Sequence, residues 1–539
     1  MTAIPANQGW DSSRSAAGAH NPWLITVILS IATFMTVLDT SIANVSLLNI
    51  AGSLGTSYDE STWILTSYLV ANAVILPISG WLSDVIGRKR FYMLSVGLFT
   101  IASLLCGLAP NLTLLVAFRV FQGIGGGGMA PSEQAMLADS FPPARRAQAF
   151  AIYGVAVIVA PAVGPAIGGY ITDNASWHWI FFINVPVGAL SLALVAAFVD
   201  EPPAMVRERL SRWRRGLRVD WVGFVLSALA LGFLEIVLDK GQEDDWFNST
   251  FIMACALASG LSFLVFVPWE LTRDDPIVDI SLIGRRQFGT SFFIMLAVGA
   301  VLFGTTQLMP QLLQQNFAYT ATWAGLSLMP GGFAAMAAMM AAGRVSGFVQ
   351  PRYMMAAALL AISAALYHFT DLSPDTDFWW FAWARVFQMV GIPLLFLVIT
   401  SYSYIGLPWG KSGQASALIN VARNLGGSIG ISAAQTLLAR GDQFYQARLD
   451  ANIFPSSIPY ADTFRRASAY FLQHGSSMPK AQRQATAWIG QTLMNQATLL
   501  SYIDVFAYLA LFALLLVPAS FLLQRVDLRS PPRKAASSH

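Results

Sequence analysis

The sequence predicts an all-α polytopic membrane protein with fourteen spanning helices. It predicts two six-helix halves in the same orientation, two helices inserted between them, and both termini in the cytoplasm. Three observations carry this reading: composition, the placement of basic residues, and an internal repeat. Hydrophobic types make up 55% of the 539 residues and charged types only 11%, against about 25% charged in an average soluble domain. That balance excludes a water-soluble globule and a disordered chain. The apolar residues form long continuous runs rather than alternating ten-residue pieces, which argues against an outer-membrane barrel.

The runs fall near 23–50, 61–82, 91–109, 112–138, 147–171, 177–199, 220–239, 246–269, 288–315, 322–343, 353–369, 378–403, 412–437 and 502–523. The first, from Trp23, contains Asp39 and has no convincing cleavage site, so it reads as a retained helix and not a signal peptide. The chain divides into a cytoplasmic tail (1–22), a first half (23–199), a basic linker with two extra helices (200–287), a second half (288–523) and a cytoplasmic tail (524–539). Within the second half, 438–501 reads as a long periplasmic loop in which Gln473 to Asn495 has the mix of residues of amphipathic helix segments. Cys106 and Cys255 both lie inside apolar runs and read as small packing residues, not as a disulfide or zinc site.

Basic residues fix the orientation. With the N-terminus inside, 22 of the 32 Lys and Arg fall on the cytoplasmic side, among them Arg14, Arg88–Arg90, Arg207–Arg218 and the tail. The short outer loops hold one, Lys240. Three lie within spans: Arg119, Arg385 and Arg423.

The repeat appears at a constant offset of 266. Arg119-Val120-Phe121-Gln122 returns as Arg385-Val386-Phe387-Gln388, and the same register pairs Pro142 with Pro408, Arg145 with Lys411, Gln148 with Gln414 and Gly164 with Gly430. Parallel halves of this kind enclose a site near the bilayer midplane.

Several motifs stand on this frame. Gly80-Trp81-Leu82-Ser83-Asp84-Val85-Ile86-Gly87-Arg88-Lys89-Arg90 joins the second and third spans. It resembles the loop motif that closes the cytoplasmic side in the major facilitator superfamily, which gives Gly80, Asp84, Gly87, Arg88 and Lys89 a gating role. The plainer reading is a basic cytoplasmic turn. Gly154, Pro161, Gly164, Pro165, Gly168 and Gly169 crowd the fifth span; small residues let helices touch and prolines bend them. This resembles the antiporter motif of drug-exporting facilitators and adds Pro161, Gly164, Pro165 and Gly168 to the gate.

Three further stretches extend the likeness: Leu38-Asp39-Thr40-Ser41-Ile42-Ala43-Asn44-Val45, Trp179 to Pro186, and Tyr319 to Gly325. From about 23 to 523 the chain resembles the fourteen-helix drug:proton antiporters of the EmrB/QacA type. The resemblance implies the major facilitator fold, residence in a bacterial inner membrane, proton-coupled export of lipophilic small molecules, and no enzymatic activity. It also implies a periplasmic adaptor and an outer-membrane channel as partners, with the adaptor docking on 438–501.

Candidate proton-coupling residues are Asp39, Arg119, Glu133 and Glu235. An intramembrane charge is costly and faces a polar cavity or a partner; the alternative for Arg119 is snorkelling from a helix end. Glu133 is either a relay or a solvated helix end, and Glu235 lies where lipid contact is expected. Between 288 and 437 the only acids are Asp371, Asp375 and Asp377, all in one outer loop. The arginines repeat and the acids do not, so a proton carrier belongs to the first half or the linker helices. The substrate wall is assigned to Asn44, Gln122, Gln307, Gln311, Gln314, Gln388, Asn420 and Arg423, which supply hydrogen bonds with little charge; interhelical bonding is the alternative for each.

No phosphate loop, zinc spacing or nucleophile elbow is present, and Gly123–Gly128 lies inside a span. Catalytic residues, a metal, a cofactor and a nucleic-acid partner are therefore not expected, and energy is assigned to a proton gradient. The competing functions are a dedicated exporter of one metabolite or siderophore and, at greater distance, a non-transporting sensor.

Overall fold

A computed structural model describes residues 4–5, 20–201, 203–214, 219–273, 275–407, 411–451, 453–454, 456–523 and 526–527. Arg14, Arg215, Arg218, Pro408 and nearly all of both tails lie outside the described residues. The first half contains α1 (Pro22–Leu54), α2 (Tyr58–Ile86), α3 (Arg88–Gly107), α4 (Leu112–Ser140), α5 (Pro143–Asn174), and α6 and α7 (Trp179–Phe182, Asn184–Phe198), which together form one span. Polar caps start these helices where the apolar runs begin: the side chains of Asn21, Ser57 and Asn111 accept from first-turn amides, and Glu60 completes a capping box. The linker holds α8 (Pro203–Arg214), α9 (Trp221–Lys240) and α10 (Thr250–Leu271). The second half contains α11 (Arg286–Gln315), α12 (Ala321–Val345), α13 (Pro351–His368), α14 (Phe378–Tyr402), α15 (Ser412–Asp450), α16 (Ile458–Gln473) and α17 (Met478–Leu515). A two-residue parallel pairing of Ile4–Pro5 with Val526–Asp527 brings the two ends together.

Thirteen segments among the described residues are long and apolar enough to cross a membrane. The fourteenth, α15, is less apolar because of where it sits. It packs on α11, α17, α2 and α4, and its Gln414, Ser416, Asn420 and Ser432 are buried among helices.

Segment 438–501 is more helical than the amphipathic stretch expected over Gln473 to Asn495. α15 continues as helix to Asp450, α16 is capped by Ser457, and α17 starts at Met478. Ala, Gln, Arg and Leu are frequent here and favour helix whether or not lipid surrounds them; an apolar run marks the membrane, not the end of a helix.

The repeat explains the seam between the halves. Under the 266 shift α2 corresponds to α12 and α5 to α15; in space α5 packs on α12, and α15 packs on α2. Each seam is closed by glycine. A Cβ at Gly80 would lie 2.8 Å from Gln414 Cα, and one at Gly325 would lie 2.6 Å from Ala166 N. The linker is attached to the first half. Arg209 and Trp213 of α8 donate to the terminal carbonyls of α2 at Ile86 (3.1 Å) and Val85 (3.0 Å), groups that a helix end leaves unpaired. α9 lies against α2 and α15.

Gly80→Val is expected to destabilise the folded chain by about 1–3 kcal/mol, because a backbone must move to admit the side chain. Gly97→Ala, which meets nothing within 4 Å, is expected to be neutral or stabilising by about 0.5–1 kcal/mol. Thermal unfolding of the purified variants checks both; equal melting temperatures would mean the α2–α15 contact is not tight.

Candidate functional site

The centre of the first half is a charged cluster with no water-facing side. Asp39 of α1 and Arg119 of α4 are buried, and Arg119 Nη1 donates to Asp39 Oδ2 at 2.7 Å. Gln122, one turn after Arg119, donates from Nε2 to Asp39 Oδ1 at 3.0 Å while its Oε1 accepts from Arg119 Nη1 at 2.9 Å. Asn184 of α7 donates to the same Asp39 oxygen at 2.6 Å and to Ser103 Oγ at 3.0 Å. Arg119 Nε donates to the Ile64 carbonyl of α2 at 3.0 Å, and the guanidinium carbon stands 4.4 Å from the Tyr68 ring centroid. The carboxylate thus joins α1 to α4 and α7, and Arg119 adds α2. Snorkelling of Arg119 is excluded: its side chain is fully buried. Asn184 was not singled out from the sequence as a site residue, although it sits in the Trp179–Pro186 stretch.

Glu133 forms a second buried cluster nearer the basic face. It accepts from Thr33 of α1 and, at 3.1 Å, from Tyr92 of α3. It is fully buried, which rules out a solvated helix end. One residue on, Gln134 Oε1 accepts from Asn420 of α15 at 2.7 Å, and Ser416 donates to the Pro131 carbonyl at 2.7 Å. Arg423 is half-buried, donates to Asn424 Oδ1 at 3.3 Å, and interacts electrostatically with Glu133 and Tyr153. Thr33, Tyr92 and Gln134 give no sequence signal, being polar residues of ordinary frequency.

Glu235 of α9 is not in lipid. It is buried, and its Oε1 accepts from Ser428 of α15 at 2.6 Å. Further along α9, Asp239 accepts from Thr66, and Lys240 reaches Thr62 and, at 2.6 Å, Glu243.

In the second half Arg385 Nη1 donates to Gln388 Oε1 at 2.6 Å and Nη2 to Thr306 Oγ1 at 3.2 Å. Of the other wall residues, Gln307 accepts from Asn44 across the seam at 3.0 Å and Gln311 accepts from Gln435 at 2.6 Å. Gln314 does not join them: it is exposed and bonds its own helix at the Pro310 carbonyl.

The gate residues lie on the basic face. Arg88 pairs with Asp139 of α4, and both grip Ser412 at the start of α15, Arg88 Nη2 at 2.9 Å and Asp139 Oδ1 at 3.1 Å. A Cβ at Gly413 would lie 3.5 Å from Asp84 Oδ1. Gly87 has φ +102°, and a Cβ there would collide with Arg209 and Glu201. Lys89 donates to the Ala196 carbonyl at 2.9 Å. Asp279 pairs with Lys411 at 2.9 Å; burial would raise its carboxyl, but the Ser281 hydroxyl and Lys411 hold it below its ordinary value. The fifth-span motif sits between α1 and α12: a Cβ at Gly164 would meet Ser41, one at Gly168 would meet Ile42, and Pro165 lies under Gly325. Ser41 Oγ donates to the Pro161 carbonyl at 3.4 Å.

Comparisons with known proteins agree with this architecture. The Major Facilitator Superfamily model matches residues 29–431. The chain is 37% identical over 484 residues to the Multidrug export protein EmrB of Escherichia coli (strain K12), covering 90% of this chain and 91% of that one. It is 35% identical over 507 residues to the Fatty acid resistance protein FarB of Neisseria gonorrhoeae, covering 94% and 96%. Among solved structures, the proton:xylose symporter XylE matches with a TM-score of 0.59 at 14% identity over 94% of this chain and 97% of that one, a likeness of fold alone.

Breaking a buried ion pair from one side leaves an uncompensated charge and costs about 3–5 kcal/mol. Asp39→Leu alone is therefore expected to lower the unfolding temperature more than Asp39→Leu with Arg119→Met. Melting curves of the single and double variants decide it; additive losses would mean the two groups are not energetically paired.

Proposed function

The chain belongs to the Major Facilitator Superfamily and, within it, to the EmrB-type drug antiporters, and we propose that it exports hydrophobic or amphipathic toxic compounds in exchange for protons. It is a multi-pass membrane transporter and not an enzyme. The observation that carries the coupling reading is the Asp39 cluster: a carboxylate buried in a spanning helix, held by Arg119, Gln122 and Asn184, with no acid at the equivalent place in the second half.

The geometry supports a sequence of events. A proton on Asp39 removes its charge and weakens the 2.7 Å pair with Arg119. Arg119 then keeps its bond to the α2 carbonyl, and α1 is loosened from α4. Because α1 lies against α5, and α5 forms one seam with α12, loosening α1 acts on the interface along which the halves rock. Glu133, joined to α1 through Thr33 and within electrostatic reach of Arg423, is a second proton site in this reading, and Glu235 on the α9–α15 contact a third. Substrate binds between the halves against Asn44, Gln307, Gln311, Asn420 and Arg423, and leaves on the face opposite Arg88.

The same reading places the chain in a bacterial inner membrane. The helical hairpin of α15, α16 and α17 is the surface for a periplasmic adaptor that continues to an outer-membrane channel. A narrower reading, export of one compound class, is favoured by the relative named a fatty acid resistance protein.

Inverted vesicles containing the full chain test the coupling. A proton gradient is expected to drive accumulation of a dye substrate, and Asp39→Asn is expected to reduce it to the level seen without a gradient. Gradient-driven accumulation unchanged by Asp39→Asn removes Asp39 from coupling; no accumulation by the wild-type chain with any of a broad panel of compounds favours a sensor.

A further inference from the structure

The duplication carries a pair of donors into the second half and leaves their acceptor behind. In the first half, Arg119 and Gln122 grip the two oxygens of one carboxylate: Arg119 Nη1 meets Asp39 Oδ2 at 2.7 Å and Gln122 Nε2 meets Asp39 Oδ1 at 3.0 Å. The same pair stands 266 residues on, again one turn apart, as Arg385 and Gln388 of α14. The bond between the two partners is also repeated, at 2.9 Å in the first half and 2.6 Å in the second. The residue at the acceptor position is Thr305, and its hydroxyl bonds the carbonyls of its own helix at Val301 (2.9 Å) and Leu302 (3.1 Å).

Two buried donors are left with less than they hold in the first half. Arg385 is 4% exposed, and among the described residues the one side chain it bonds besides Gln388 is the neutral Thr306. Gln388 is fully buried, and its Nε2 has no hydrogen-bond partner among the described residues. No carboxylate among the described residues forms an ion pair with Arg385, and the second half has no acid between 288 and 437 outside the Asp371–Asp377 connection. A buried cation without an anion and an amide donor without an acceptor are both costly; one group relieves both, a carboxylate. The position is close to the seam: Thr306 and its neighbour Gln307 are half-buried, and Gln307 is bonded to Asn44 of the other half.

We infer that Arg385 and Gln388 receive the carboxylate head group of an anionic amphipathic substrate, held as Asp39 is held in the first half. Arg385 supplies charge and a planar fork, and Gln388 supplies the second donor. The inference rests on the exporter reading and names a cargo class for it: the first-half pair is filled by Asp39, so the second-half pair is the one that meets an anion brought from outside the chain.

The test uses the purified full chain in a non-ionic detergent, with radiolabelled octanoate and octyltrimethylammonium as probes and no proton gradient. Octanoate is expected to bind the wild-type chain. Arg385→Gln is expected to weaken it about 10- to 100-fold, the loss of a charge-assisted contact. Thr305→Asp, which supplies the missing acceptor from within, is expected to abolish octanoate binding, keep octyltrimethylammonium binding and leave the melting temperature unchanged or raised. If Thr305→Asp does not fold, Gln388→Leu serves, with weaker octanoate binding expected. Octanoate binding that is undiminished by these changes, or that fails in the wild-type chain, overturns the inference. Gradient-driven dye uptake in vesicles, measured separately, is the readout whose failure would sink the exporter reading instead.

Discussion

The Asp39–Arg119 pair is the interaction on which the rest of the molecule depends. Two charges taken from water lose several kcal/mol each, and the loss is recovered only where the geometry is good and the remaining lone pairs and protons are satisfied. Here both carboxylate oxygens have donors, from Arg119, Gln122 and Asn184, and Arg119 has a carbonyl and an aromatic face besides, with its Nη2 alone unbonded among the described residues. The partners come from α1, α2, α4 and α7, so the electrostatics of one carboxylate set the relative positions of four helices. In the proposed coupling, it is this balance that a proton on Asp39 alters, without any helix having to unfold. A buried ion pair is a poor source of stability, and the proposal uses it as a switch.

A switch moves the halves only where their contact permits sliding without gaps. Both seams are lined by small residues, with glycine facing backbone at Gly80 on Gln414 and at Gly325 on Ala166. Such surfaces have few side chains to unlock. The polar links between the halves come from few side chains: Arg88 and Asp139 to Ser412, Gln134 to Asn420, Ser416 to the Pro131 carbonyl, Asn72 to Asn424, Glu235 to Ser428, and Asn44 to Gln307. They run from the basic face towards the opposite one, so a rocking motion exchanges a few neutral or singly charged bonds at a time. The linker helix α9 takes part: tied to α2 through Asp239 and Lys240, it touches the other half through Glu235.

The sequence made legible what is expensive in lipid. Asp39, Arg119 and Glu133 could be picked out because a charge in an apolar run needs a reason, and the repeat at 266 was visible because arginine and glutamine are rare in spans. Asn184, Thr33 and Tyr92, which complete those clusters, are polar but uncharged, and nothing in their spacing distinguishes them from the many Ser, Thr and Asn that bond their own helices. Gln314 shows the converse: it shares a helical face with Gln307 and Gln311, yet lies past the packed region and is exposed. Lipid contact at Glu235 is what the family resemblance implies for an inserted helix; only the fold brings Ser428 to it. In the outer segment 438–501 helix is legible in the sequence only over Gln473 to Asn495; the extension of α15 and the helix α16 carry no apolar run, because hydropathy reports the solvent of a helix and not its existence.

Duplicated halves begin with equal chemistry, and the inequality between them shows how tasks are divided. An Arg–Gln pair on a helix turn is a carboxylate clamp in either half. Where the chain supplies the carboxylate, as Asp39, the clamp holds a group that can take a proton and stay. Where it supplies a threonine that bonds its own backbone, the clamp keeps its donors in the interior with the neutral Thr306 as a partner and no carboxylate among the described residues. Retaining a buried arginine there costs stability, and packing alone would be served as well by an uncharged residue. A cost of that kind persists in a structure where it is repaid in another state of the cycle, and for Arg385 the state that repays it is the one with an anion in place.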